Sequence, residues 1–200
     1  LCSTLLGSGN VYLLAHGQLS VSWLTFLPGF WMAWALSLVV PGQVGDILGL
    51  SLWMKRRGMR WEVGTAAATV DKLISLLWML LFACWGLALY LGKPHLALTW
   101  VGSLAAGMCL FALGGYLMRE RLRSLAQGEG VVRSIVQVIL VTATEQPRQI
   151  LFNVLLTPIK ISLIAAAYWA MFHALGASSI SLLNVLPLVA ASSLVSYIPI

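Results

Sequence analysis

Two hundred residues would suffice for one soluble domain, but 60% of them are hydrophobic and only 9% are charged, against about 25% charged in an ordinary soluble domain. So few charges cannot cover a water-facing surface, which excludes a soluble globular protein. Twelve Lys and Arg against six Asp and Glu give a net charge of +6; because the cations fall between long apolar runs, they read as markers of membrane topology rather than as a nucleic-acid surface.

Taken in chain order, residues 1–15 look like the remainder of a helix, and Leu1, with no charged leader before Leu5 and Leu6, suggests that the chain starts and ends inside a longer protein. A polar joint at 16–22 leads to an apolar run over 23–40, close to the roughly 20 residues that cross a bilayer. The next stretch, Pro41-Gly42-Gln43-Val44-Gly45-Asp46, runs on to Lys55, Arg56, Arg57 and Arg60 and is too polar for a span. Gly42, Gly45 and Gly49 would share one side of a helix there and allow close backbone approach. This piece is expected to be a re-entrant or interfacial helix entering a basic cytoplasmic loop.

A second apolar run over 63–91, interrupted by Asp71 and Lys72, contains a span at 73–91. The short Gly92-Lys93-Pro94-His95 turn joins it to a span at 96–118, which ends in the basic cluster Arg119, Arg121 and Arg123. Two spans separate this cluster from Arg57, so both lie on one side, and the positive-inside rule makes that side cytoplasmic. The alternation of apolar and polar positions over 131–141 predicts a cytoplasmic amphipathic helix. Residues 150–175 form a further span, and 182–200 begin another. No repeat at a fixed period is evident. The expectation is a single all-α domain over 1–200, a polytopic transmembrane helical bundle truncated at both ends, in the cell membrane.

Asp46, Asp71 and Lys72 are the candidate functional charges, since a carboxylate or ammonium near hydrocarbon is costly unless paired or hydrated. Adjacent helical residues point about 100° apart, so Asp71 and Lys72 each need another partner. Asp46 is the candidate for Lys72, and an arginine of the 55–60 cluster for Asp71; snorkelling of Lys72 to the interface is the structural alternative. Glu145, Arg148 and Lys160 form a second charged set near the inner face and read as surface pairing. Trp23, Trp53, Trp61 and Trp100 read as an aromatic belt. Cys84 and Cys109 are expected to be packing residues. No metal-ligand spacing, cofactor fingerprint or catalytic constellation stands out, so no catalytic residue, metal or cofactor is assigned.

The Pro-Gly-Gln-Val-Gly-Asp run at 41–46, the basic stretch after it and Asp71-Lys72-Leu73-Ile74-Ser75-Leu76-Leu77 resemble the transmembrane region of the lysylphosphatidylglycerol synthase family, which includes flippase-like membrane proteins. Gln43 stands where relatives often carry Arg, Asp46 where they carry Glu, Asp71-Lys72 in place of Glu-Arg, and Ser75 in place of an acid. The resemblance implies a domain that binds and translocates phospholipid or lipid-linked substrates, with Gly42, Gly45, Asp46, Asp71 and Lys72 as lipid-binding residues. Its implied partners are membrane phospholipids, anionic or lipid-linked; a second copy of the chain is a further candidate. The alternative is the membrane half of a lipid aminoacyltransferase or glycosyltransferase, whose enzyme activity would need a separate domain.

Overall fold

The computed structural model describes residues 2–18, 21–40, 44–93, 95, 96, 98–103, 105–107, 120, 131–177, 179–195 and 197. Among them there are helices and turns but no strand: α1 (Cys2–Ala15), a single 3-10 turn (His16–Gln18), α2 (Trp23–Ser37), α3 (Val44–Arg56), α4 (Trp61–Tyr90), α5 (Val131–Glu145), α6 (Pro147–Ala174) and α7 (Leu182–Val195). Most of the expected 96–118 span and nearly all of the 119–123 cluster lie outside the described residues; the described positions from 95 to 107 are helical.

Two helices set the scale. At 1.5 Å per residue, α4 with 30 residues and α6 with 28 are about 45 and 42 Å long, more than the roughly 30 Å hydrocarbon core of a bilayer. Only 28% and 22% of their most apolar stretches are buried inside the fold. The rest is partly or fully exposed, whereas the core helix of a soluble protein is mostly buried. With Leu98 81%, Val39 80% and Leu175 77% exposed, the fold is an all-α helical membrane bundle.

Helices α2 and α3 are half as long. Helix α2 starts behind Ser22, whose Oγ accepts from Thr25 N at 3.4 Å, and ends at Ser37. Helix α3 then returns along it: Gly45 lies against the Ser37 backbone, Gly49 against Ala33, and Gly29 against the Trp53 ring. The start of α2 is therefore level with the end of α3, where Arg57 stacks over Trp53 at 4.8 Å. Both outer ends of this α2–α3 hairpin sit at one end of the bundle, beside Lys55 and Arg60.

This placement changes the expected chain path. The His16–Gln18 turn lies at the same end as the basic residues rather than at the opposite one, and Gln18 donates to Thr142 of α5 at 3.3 Å. Trp53, expected in an aromatic belt, is 8% exposed and fills the hairpin interior with Phe26, its ring lying against Gly29, where there is no Cβ.

Helix α4 packs along α3 with its first half, Ser51 Oγ and Thr65 Oγ1 sharing a hydrogen bond at 2.6 Å, and along α7 with its second half, where Gly86 meets Pro187. Helices α3 and α7 thus approach from opposite ends of the bundle and stop opposite the middle of α4. Pro158 interrupts α6 at the same depth. Proline has no N–H for the carbonyl four residues earlier, and the Trp78 indole of α4 satisfies that Val154 carbonyl at 3.0 Å.

Candidate functional site

The ends of α1, α2, α3 and α7 enclose, with α4 and α6, a cavity of about 830 Å³. All four of the charged residues that face it, Asp46, Asp71, Lys72 and Lys160, arise from three helices. Asp71 lies ten residues into α4, about 15 Å from its basic end, and Lys160 thirteen residues, about 20 Å, into α6. The charges are therefore near half-depth in the two spanning helices, where each costs about 3 kcal/mol on insertion scales unless it finds a partner.

They find partners in two pairs. Lys72 Nζ is ion-paired with Asp46 Oδ2, joining α4 to the first turn of α3. Asp71 Oδ2 accepts from Lys160 Nζ at 3.2 Å. Lys160 also donates to Ser75 Oγ at 3.0 Å, and Asp71 Oδ1 accepts from Asn153 Nδ2 at 2.9 Å. Behind this pair a fully buried chain continues: Thr157 donates to Asn153 Oδ1 at 3.2 Å, and Asn10 Nδ2 of α1 donates to Thr157 at 3.4 Å. Asp46 Oδ1 is buried and has no hydrogen-bond partner among the described residues.

The two pairs differ in setting. The side chains of Asp71 and Lys160 are 7% and 13% exposed, those of Asp46 and Lys72 20% and 23%. The first pair is braced by amide and hydroxyl groups inside the bundle; the second is the more exposed of the two. The four charges sum to zero, so the cavity offers both signs to a bound group.

A family model described as the lysylphosphatidylglycerol synthase TM region matches residues 1–200. The chain belongs to that family. Comparisons with curated proteins and with solved structures return no match. Membership makes this a membrane domain of the lysylphosphatidylglycerol synthase type, in agreement with the exposed apolar helices.

Of the family-type residues singled out in the sequence, Asp46, Asp71 and Lys72 converge on the cavity, and the Asp46–Lys72 pair forms as the glycine-bearing stretch suggested. Gly45 is in the wall of the hairpin, where a Cβ would lie 2.5 Å from Ser37 Cα, so its role is close packing of α3 on α2. Gly42 lies outside the described residues. Asp71 is not paired with an arginine of the 55–60 cluster: α4 is helical from Trp61, which carries Asp71 about 15 Å from those arginines, well beyond an arginine side chain's reach. In the set of Glu145, Arg148 and Lys160, the side chain of Glu145 lies outside the described residues, and Lys160 stands apart from Arg148. Lys160 is twelve residues beyond Arg148 on one helix, about 18 Å away, and belongs to the cavity. Asn153 and Ser75 were not foreseen as site residues, although Asn153, Thr157 and Lys160, spaced four and three apart, form a polar stripe on an otherwise apolar helix.

Proposed function

We propose that this domain binds a phospholipid or lipid-linked substrate by its headgroup in the mid-depth cavity and moves it between leaflets. The observation that carries this reading is the cavity itself, with four charged residues held halfway along two spanning helices. Its volume is within the several hundred to about 1,000 Å³ usual for small-molecule sites, and it suits a headgroup better than a whole lipid. Lys72 and Lys160 supply cations for a phosphate, while the buried, unpartnered Oδ1 of Asp46 would become an acceptor for a hydroxyl or ammonium once a ligand reaches it. In this reading Gly45 builds the wall, and Gly42 belongs to the same family motif. The basic end of the bundle faces the cytoplasm, in the cell membrane, where Lys and Arg beside span ends favour that side.

Reconstituted vesicles holding fluorescent phosphatidylglycerol test the reading directly, with outer-leaflet dye quenched by an impermeant reductant. Asp46→Asn and Lys72→Gln should each slow translocation while folding stays near normal. A purely structural pair predicts instead that each single change lowers stability and that the double change recovers part of it. Unchanged translocation in both well-folded single variants would remove the pair from any functional site.

The family description also favours a second reading, in which this is the membrane half of a lipid aminoacyltransferase. A soluble transferase domain elsewhere in the full-length protein, active on a lipid held here, would support it.

A further inference from the structure

The sequence of the turn between α1 and α2 recurs between α6 and α7. Ala15, Gly17, Ser20, Ser22, Leu24, Leu27 and Pro28 reappear 159 residues later as Ala174, Gly176, Ser179, Ser181, Leu183, Leu186 and Pro187, with Val21 matched by Ile180 and no gap. The helix ends obey the same offset: α1 ends at Ala15 and α6 at Ala174, while α2 starts at Trp23 and α7 at Leu182. The carbonyl at the matched position is capped in both turns, by donors that do not share the offset. Tyr12 Oη donates to the carbonyl of Val21, and Trp169 Nε1 to that of Ile180, each at 3.0 Å. The periodicity is invisible to a search for tandem repeats because only two copies exist, far apart.

The copies are inverted. Helix α2 enters the bundle from the basic end and α7 from the opposite end, and both stop at the cavity. Carried inward, the offset pairs Ala33 with Ser192, Trp34 with Ser193 and Leu38 with Tyr197, and all six line the same cavity from its two sides. At these three pairs the chemistry is opposite, alanine, tryptophan and leucine facing three hydroxyls, while Ser37 on the α2 side and Val195 on the α7 side also line the cavity. Trp34 and Leu38 are also 46% and 70% exposed, so the apolar wall continues onto the lipid-facing surface. Serine oxygens keep acceptor lone pairs even when the hydroxyl proton is donated to the backbone, as that of Ser192 is to Val189 O at 3.0 Å.

Resting on the lipid-binding reading above, we propose that the inner ends of these inverted copies are the two specificity-determining halves of the site: the α7 half holds the headgroup through Ser192, Ser193 and Tyr197, and the α2 half takes the first acyl carbons along Trp34 and Leu38. The four charges lie between them, with the phosphate region of the lipid. An apolar chain gains free energy in proportion to the area it removes from water, so the glycerol end of a lipid orients with its chains towards the wall that opens on the bilayer.

The test uses the unmodified full-length protein in vesicles with two photoreactive phosphatidylglycerol probes, one with the diazirine in the headgroup and one with it on the acyl chain near the ester. After irradiation, modified residues are mapped by mass spectrometry. The headgroup probe should mark the 192–197 segment several-fold more than 30–38, and the acyl probe the reverse. Equal labelling of both segments by each probe, or the opposite preference, overturns the assignment while leaving the lipid-translocation reading intact. Labelling of neither segment overturns both. If the probes divide as stated but fluorescent lipid is not translocated, the binding assignment holds and transport fails.

Discussion

Lys160→Met would strand Asp71 in the least exposed part of the site, with only the Asn153 amide to stabilise its charge. Breaking one partner of a buried ion pair costs on the order of 3–5 kcal/mol, whereas removing both can be nearly neutral. Asp71→Asn and Lys160→Met should therefore each lower the unfolding midpoint of the purified protein in detergent, and the double variant should recover most of the loss; strictly additive losses would show that the two side chains are not coupled. Asp46 and Lys72 sit in a more open position, so their single variants should cost less stability than these. At this scale the sequence was partly legible. An acid in a glycine-rich stretch and a Lys inside an apolar run announced themselves, because each breaks the local apolar pattern. Lys160 broke the pattern too, but its depth depended on where α6 begins, and Pro147 starts that helix well before the apolar run at 150.

Among the elements, the hairpin of α2 and α3 depends on backbone contact that a single methyl group would prevent. A Cβ at Gly49 would lie 2.5 Å from Ala33 Cα, whereas one at Gly9 meets nothing within 4 Å. Gly49→Ala should therefore destabilise by about 1–3 kcal/mol through overpacking, and Gly9→Ala, also inside a helix, should be neutral or stabilising by up to about 1 kcal/mol. Thermal unfolding of the two variants side by side checks this; equal effects would mean that the hairpin relaxes around the added methyl. The proline inside α6 permits a second comparison. Trp78→Phe removes the donor that serves Val154 O, leaving an unsatisfied carbonyl worth about 1–3 kcal/mol. Pro158→Ala restores an N–H within the helix. Trp78→Phe should thus cost less in the Pro158→Ala background than in the parent, and an equal cost in both would place the tryptophan's contribution in packing alone. The glycine spacing was readable in the sequence, but the donor that serves Val154 O was not, since it comes from α4, 76 residues away along the chain.

Across the whole molecule, the path of the chain through the bilayer turns on whether residues 23–40 cross it. Composition favours a crossing, because the run is apolar and nearly 20 residues long. Length in the fold argues otherwise: α2 is helical for fifteen residues, about 22 Å, and α3 runs back beside it to the end from which it came. In this arrangement Gln18 and Arg57 are at one end of the bundle and Lys93, just past the last turn of α4, is at the other. With the basic end in the cytoplasm, single cysteines at these three positions, placed in the full-length protein after its native cysteines are replaced, should behave in a fixed pattern. An impermeant thiol reagent added to intact cells should modify position 93 alone, and positions 18 and 57 only after permeabilisation. A true span over 23–40 would put position 18 with 93 instead. Modification of 18 and 57 but not 93 would keep the hairpin and invert the protein in the membrane, so the same three measurements separate an error of path from an error of orientation.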